Sequence, residues 1–446
     1  MLKPQTKVDT LLLKGSPSAG DRIRETRQFG PDDIDLLVRT LESFNTLHDT
    51  PWDDFREAHC VLPNWFRQGL DPLTPEYAAQ QRQLWSTLSG VQRAYSAEID
   101  EREAELAAVD TIRTPGYFIR RDPEAVVEAS DHVLAAGMVL KHCGLKPGDW
   151  GLEYGAGFGP IALTLARLGV NMDTVDFSET FCRYVREQAD FFRVPLSAFQ
   201  GKFGCNPRPD KLYDSIFFFQ AFHHCADFLT VVSQLRNILA PAGRLLLCGE
   251  PLARAEDNYI PYPWGMKLDA LSVAQMRRFH WFEMGFTQEF LIRVFVHAGF
   301  SASHDPCPQS SFGEIYCFRH RAPTIHLSKE WLPDALESGW NTREDEGRWT
   351  RGDGRVLLDG SGSFSTLVVL ATNHHPFTLP VNIDYAGTTH ELSFKRGERK
   401  EIVIAANTKG ADIRFRSPTR VPARDYLRKH NDTRTLGLFV HSISYR

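Results

Sequence analysis

The sequence predicts an α/β protein built on a doubly wound, mostly parallel sheet, with a helical region before it and an antiparallel β-sandwich after it. Three observations carry this. Between Trp150 and Cys248 short apolar runs alternate with segments of helical period, the pattern of strands joined by crossover helices. Residues 31–110 carry apolar positions at helical spacing without strand alternation, and after Pro323 strand-like runs follow one another with turn residues between them. A chain of 446 residues also exceeds one ordinary core. The expected division is a helical region over 1–122, the α/β domain over 123–322 and the sandwich over 323–446.

In the first region Ile34, Leu37, Val38 and Leu41 mark one helical face, and the charged stretch Glu98 to Glu105 follows. Pro115 breaks the pattern, and the amphipathic segment Pro123 to Leu140 leads into the first strand. Strands are expected at Gly151–Tyr154, Asn171–Val175, Ser215–Phe219 and Arg244–Cys248. The helices between them are to bury Phe181, Tyr184, Val185 and Phe192, then Phe228, Val232, Leu235 and Leu239. Beyond Pro323, runs at 355–359, 365–371, 380–385, 390–394, 400–405, 411–415 and 437–444 predict the sandwich.

Composition excludes several classes. Met1 to Gly20 carries only the apolar run Leu11 to Leu13, too short for a secretory signal, and no apolar run approaches a membrane span. A cytoplasmic protein is expected, with attachment to the inner face of the membrane left open. Eight cysteines, none in a CxxC, read as reduced core thiols, and no metal is expected from their spacing. The net charge is −5, while the part from Trp340 onward carries 17 basic and 12 acidic residues. That excess is too dispersed for nucleic-acid binding.

The first expected strand runs into Glu153-Tyr154-Gly155-Ala156-Gly157-Phe158-Gly159-Pro160. Glycines there allow a tight turn and close approach of a ligand to the backbone, and Pro160 suits the first position of a helix. A second acid, Asp176, ends the next strand in Thr174-Val175-Asp176-Phe177. Here the chain resembles the class I S-adenosylmethionine-dependent methyltransferases, whose domain is Rossmann-like. The resemblance continues through Tyr213-Asp214-Ser215-Ile216-Phe217-Phe218-Phe219-Gln220 and through Leu239-Ala240-Pro241-Ala242-Gly243-Arg244. It covers the chain from about Leu140 to His320 and implies S-adenosylmethionine as cofactor. The residues assigned to it are Glu153, Gly155, Ala156, Gly157, Gly159, Asp176, Phe177, Phe203 and Gln220. Asp176 matches the family's ribose acid, and a carboxylate suits two neighbouring hydroxyl donors. Lys202 stands where the family often has an acid for the adenine amino group, which leaves Phe203 as the stacking candidate.

Methyl transfer to an alcohol requires a positioned acceptor and removal of its proton. His223 and His224, just beyond the fourth strand, and Glu250, ending the fifth, are the catalytic candidates. A structural or cofactor-covering role for the histidines, and a helix-capping one for Glu250, stand beside that reading. The aromatic-rich segment Asn258 to Phe286 falls where such enzymes build a substrate lid, although its rings could equally pack on the N-terminal helices.

Gly339-Trp340, Glu344, Gly347-Arg348-Trp349 and Asp432-Thr433-Arg434-Thr435-Leu436-Gly437-Leu438 resemble a β-sandwich module of bacterial surface-polysaccharide assembly enzymes. The joined resemblances imply an O-methyltransferase acting on a sugar hydroxyl, with a saccharide or small-molecule acceptor and polysaccharide-assembly enzymes as partners. A small-molecule N-, O- or C-methyltransferase and a non-catalytic glycan-binding scaffold are the alternatives. For Trp340, Trp349 and Arg434 themselves, core packing and ion pairing are expected over sugar contact.

Overall fold

The computed structural model describes residues 27–43, 57–101, 125–253, 259–320, 324–327, 338–356, 365–407, 412–425 and 432–446, with a few single positions between them. Leu11 to Leu13, Pro123, Asn258 and the turn at Asp359-Gly360 lie outside the described residues. Among these no helix is long and apolar enough to cross a membrane. The described residues gather into two compact units: 27–101 with 259–261 and 265–283, and the remainder.

In the first unit the helix Pro75–Ser89 is framed by its own end signals. Thr74 accepts a hydrogen bond from the Tyr77 amide at 3.3 Å, Pro75 occupies the first turn, and Gly90 closes the helix at φ 76°. Leu84, Trp85 and Leu88 on its inner face are wholly buried, each worth roughly 1.5–3 kcal/mol of apolar transfer. Helices Ile34–Ser43, Ala97–Asp100 and Ala270–Phe279 join it. A short parallel pair, Gln28–Phe29 with His59–Cys60, was not expected from the sequence. Its two-residue strands are too short to show alternation.

Much of the aromatic segment after Tyr259 belongs to this unit. Phe282 is buried 4.5 Å from Tyr95 between ring centroids, and Trp85 donates its indole N–H to the His280 carbonyl at 3.2 Å. Glu101 accepts from the Tyr95 hydroxyl at 2.6 Å and the Phe282 amide at 3.0 Å. Burial outweighs those bonds and pushes its carboxyl up to about 8.

The second unit holds a seven-stranded sheet. Its strands are β1 (Trp150–Tyr154), β2 (Asn171–Asp176), β3 (Leu196–Gln200), β4 (Tyr213–Phe219), β5 (Leu239–Cys248), β6 (Phe300–Asp305) and β7 (Ile315–His320). They lie in the order β6-β7-β5-β4-β1-β2-β3. The first five are parallel, and β6 and β7 form an antiparallel hairpin against β5. The order reverses between β1 and β4, and an open sheet of this kind binds ligands at that crevice, outside the carboxyl ends of its strands.

The helix Glu179–Phe192 starts at Ser178, which accepts from the Phe181 amide at 3.0 Å, and stops at Arg193 with φ 53°. Its buried face is Cys182, Val185 and Ala189 with Tyr184 and Gln188. Phe181 and Phe192, expected on the buried face, are half-buried instead. The helix Phe228–Ile238 buries Phe228, Val232 and Leu235 as the periodicity predicts.

The C-terminal strands are β8 (Thr324–His326), β9 (Arg348–Trp349), β10 (Asp353–Val356), β11 (Thr366–Thr372), β12 (Leu379–Tyr385), β13 (Thr388–Phe394), β14 (Arg399–Ala405), β15 (Ile413–Arg416) and β16 (Phe439–Tyr445). They make two antiparallel sheets, β8-β16-β11-β14 with β9 also on β16, and β10-β15-β12-β13. Alternation along β12 buries Val381 and Ile383 and turns Pro380 and Asn382 outward. Trp340 donates its indole N–H to the Arg355 carbonyl at 2.9 Å and packs edge-on to Phe415. Trp349 is buried beside Phe439, and Arg434 pairs with Asp432 and Glu344. Packing and ion pairing therefore account for all three side chains.

Candidate active site

After β1 the chain turns through Gly155, Ala156, Gly157, Phe158 and Gly159 into the helix Pro160–Arg167. The three glycines have φ 67°, 53° and 65°, the left-handed region that L side chains rarely enter. Their surroundings differ. A Cβ on Gly155 would lie 2.6 Å from the Ala221 Cβ, and one on Gly159 would lie 2.9 Å from the Val185 Cγ2, whereas one on Gly157 would meet nothing within 4 Å. Packing requires the outer two glycines. Gly157 borders open space, which suits a ligand lying against the backbone. Ala156 is buried between them, its carbonyl accepting from the Gly159 amide at 2.8 Å.

Two carboxylates brace this loop from below. Glu153 is 2% exposed and accepts from the Ala162 amide in the first turn of the helix at 3.1 Å. Its burial pushes the carboxyl up to about 8, against that hydrogen bond, with the nearby Asp176 charge adding to the rise. Half-buried Asp176 accepts from the Gly157 amide at 3.0 Å and from the Ser178 amide at 2.9 Å. A carboxylate offers about four acceptor positions, and these amides engage one oxygen each. A carboxylate acceptor of this kind fits the hydroxyl-bearing ribose end of S-adenosylmethionine, with the Gly157 backbone beside it.

Phe177 follows Asp176, and its carbonyl accepts from the Gln200 side chain at 3.0 Å. Half-buried Phe203 meets Phe177 and Tyr154 edge-on at 6.1 and 6.0 Å, and its ring stands next to Gly155. Lys202 is exposed. Gln220, just past β4, is held at φ 47° with its amide on the Cys248 carbonyl at 3.0 Å. A non-glycine residue in that region at a strand end is a strained position of the kind found at binding sites.

His223 and Glu250 come together although 27 residues separate them. Adjacent parallel strands β4 and β5 deliver both to the same sheet edge. Glu250 is 6% exposed, and each of its oxygens accepts twice: one from the Ala221 and Phe222 amides at 3.0 and 2.9 Å, the other from the His223 amide at 3.1 Å and the His223 Nδ1 at 2.9 Å. Burial alone would raise its pKa, but the bonds from His223 and the two amides outweigh burial and hold it below the ordinary carboxylate value. An ionised carboxylate only accepts, so the ring nitrogen facing it carries the proton and Nε2 is the basic nitrogen. His224 lies against His223 with ring centroids 4.2 Å apart.

A second histidine–carboxylate pair at this edge escaped the sequence reading. His304 Nε2 lies 2.6 Å from Glu314 Oε1, which also accepts from the Tyr316 hydroxyl at 3.2 Å. The Glu314 carbonyl receives the Gly249 amide at 3.0 Å, next to Glu250. Only the antiparallel turn of β6 and β7 brings these residues together, and no motif in the sequence announces it.

Residues 152–247 match the family model of the methyltransferase domain. No match was found among curated proteins. Solved structures with a similar fold include an S-adenosylmethionine-dependent methyltransferase from Aquifex aeolicus, 17% identical over 45% of this chain and 97% of that one, with a TM-score of 0.32. The CcbJ methyltransferase from Streptomyces caelestis is 21% identical over 43% and 90%, with a TM-score of 0.32. A putative sarcosine dimethylglycine methyltransferase from Galdieria sulphuraria is 23% identical over 40% and 62%, with a TM-score of 0.31. On the family-model match, the segment from β1 to the end of β5 is a methyltransferase domain, and its methyl donor is S-adenosylmethionine.

Proposed function

We propose that this enzyme methylates an alcohol, and specifically a sugar hydroxyl in polysaccharide or glycoconjugate biosynthesis. The observation that carries the oxygen acceptor is the His223–Glu250 pair. An alcohol must lose its proton as it attacks, and an imidazole whose Nδ1 is pinned by a carboxylate presents a defined basic nitrogen at the edge where the substrate binds. S-adenosylmethionine supplies an electrophilic methyl on a sulfonium that leaves as a neutral thioether. His223 takes the acceptor proton on Nε2 while the new O–C bond forms, and Glu250 steadies the imidazolium that results. Asp176, Gly157 and Phe203 hold the donor, so that alignment does much of the work. Glu250, with every oxygen engaged by the 221–223 segment, is a positioning residue rather than a base. The saccharide class is supported by the C-terminal residues that resemble a polysaccharide-assembly module.

The test is a panel of nucleotide sugars, oligosaccharides, amines and activated-carbon acceptors with labelled S-adenosylmethionine. Label in a sugar methyl ether, abolished by His223→Ala, is the expected result. Transfer only to nitrogen or carbon acceptors would overturn the reading.

A further inference from the structure

The sheet edge that holds His223 and Glu250 carries a second imidazole, His304, which the proposed reaction leaves unused. Ile315 at the start of β7 pairs with Cys248 at the end of β5, and Tyr316 pairs with Leu247 on one side and His304 on the other. His304 therefore stands across β7 from Leu247, two strand spacings or roughly 10 Å away along the sheet. Main-chain contacts tie this end of the hairpin to the site. The Glu314 carbonyl takes the Gly249 amide at 3.0 Å, and a Cβ built on Gly249 would lie 2.8 Å from the Phe312 carbonyl oxygen and 3.3 Å from the Gln220 Cγ. Gly249 turns there at φ 66°, directly before Glu250.

The His304 ring is fixed in two ways. Its Nε2 lies 2.6 Å from Glu314 Oε1, and its face stacks on Tyr316 with centroids 4.5 Å and planes 12° apart. Tyr316 is buried and donates its hydroxyl to the same carboxylate oxygen at 3.2 Å. An ionised carboxylate only accepts, so in the neutral ring the proton sits on Nε2 and Nδ1 keeps its lone pair. Among the described residues Nδ1 has no hydrogen-bond partner, and the side chain is 21% exposed, so this nitrogen is not sealed in the core. Pinning of this kind sets the direction of an accepting nitrogen before any ligand arrives, which lowers the ordering cost of binding.

We infer that His304 is a specificity-determining residue of the acceptor site, its Nδ1 accepting a hydrogen bond from a donor group of the acceptor remote from the atom that is methylated. The identity of that group as a second sugar hydroxyl rests on the proposed reaction; the role of His304 does not. Removal of the acceptor proton stays with His223, and Glu314 and Tyr316 act through the ring, as positioning residues. A contact made equally in the ground and transition states shows in KM and not in kcat.

Two replacements separate recognition from bracing. Asn puts an amide oxygen where Nδ1 was and loses the reach to Glu314, whereas Gln reaches Glu314 with its amide nitrogen and offers nothing at the Nδ1 position. With the panel acceptor that is methylated, His304→Gln should raise the acceptor KM about three- to ten-fold at unchanged kcat. His304→Asn should keep the wild-type KM even where its urea midpoint drops. The reverse order, or one KM for both variants, would make the ring a brace for the hairpin and overturn the inference. A second measurement needs no turnover: the full chain with isotope-labelled histidine, saturated with S-adenosylhomocysteine, is titrated with each panel member by NMR. The His304 signals are assigned by their loss in His304→Gln. A nucleotide sugar or oligosaccharide is expected to shift Nδ1, and no shift by any panel member would overturn the inference. A shift caused by an amine alone would keep His304 as a recognition residue and count against the proposed sugar reaction, whereas sugar methylation with Nδ1 unmoved would do the opposite.

Discussion

Glu250 holds His223 at two points, the ring Nδ1 at 2.9 Å and the main-chain N–H at 3.1 Å, so one carboxylate fixes both the orientation and the tautomer of the imidazole. Glu250→Gln keeps the shape but replaces one accepting oxygen by a donor facing other donors. Turnover with the sugar acceptor is expected to fall by about 10²–10⁴-fold, with S-adenosylmethionine affinity essentially unchanged. Steady-state kinetics beside calorimetry checks this, and an equal loss of cofactor binding would argue for a structural role only.

Asp176 accepts from the glycine loop at the Gly157 amide, and in the proposed reaction it receives the ribose hydroxyls. Its replacement by Ala removes charge-assisted hydrogen bonds worth about 1.5–3 kcal/mol each, so binding of S-adenosylmethionine should weaken by roughly 10–100-fold or more. Calorimetric titration of wild type and variant decides it.

Gly155 and Gly157 separate stability from binding. Gly155→Ala adds a clash with Ala221 to the left-handed strain; strain of about 1–2 kcal/mol plus overpacking of about 1–3 kcal/mol should show in urea melts. Gly157→Ala carries the strain without the clash. It should unfold nearer the wild-type midpoint while losing cofactor affinity, because the new methyl occupies the space left for the ligand.

Carboxyls near this sheet edge respond to pH in opposite directions. Glu153 in the folded state titrates at about 8, above its ordinary 4.5. The folded state therefore holds the proton more tightly, and the stability this confers in acid drains away as pH rises through that window, by up to about 1.4 kcal/mol per pH unit. Glu250 is shifted downward, so its contribution is present at neutral pH and lost as pH falls through its folded value. Glu153→Gln should flatten the slope of stability between about pH 5 and 8, measured by denaturant titration at each pH. An unaltered slope would show that another group, with Glu101 the first suspect, governs it.

The glycine loop, Asp176 and the four central strands were legible because each is a local pattern: an apolar run, a turn residue, an acid at a fixed offset. β3 was not, since Leu196-Ser197-Ala198-Phe199-Gln200 is a short edge strand with weak alternation. β7 follows β6 with no α-helix between them, outside the strand–helix rhythm that made the others visible. Within the site, the sequence put His223 and Glu250 forward as separate candidates. Their partnership depends on the parallel pairing of β4 and β5, a long-range fact that spacing does not encode. His304, Glu314 and Tyr316 depend on the same kind of fact and went unnoticed.

The first compact unit has a consequence for how the chain is made. Gln81, Trp85 and Glu101 are bonded to Met266, His280 and Phe282, residues that lie 181 to 195 positions later. A ribosome synthesising the protein therefore delivers the N-terminal helices long before their partners, with the strands from β1 to β5 emerging in the interval. Loop closure over that separation is slow, and Trp85 stays without the cover it has in the finished fold until translation passes Phe282. A nascent chain stalled before Met266 should expose this surface to chaperones, while its methyltransferase strands already have most of their neighbours.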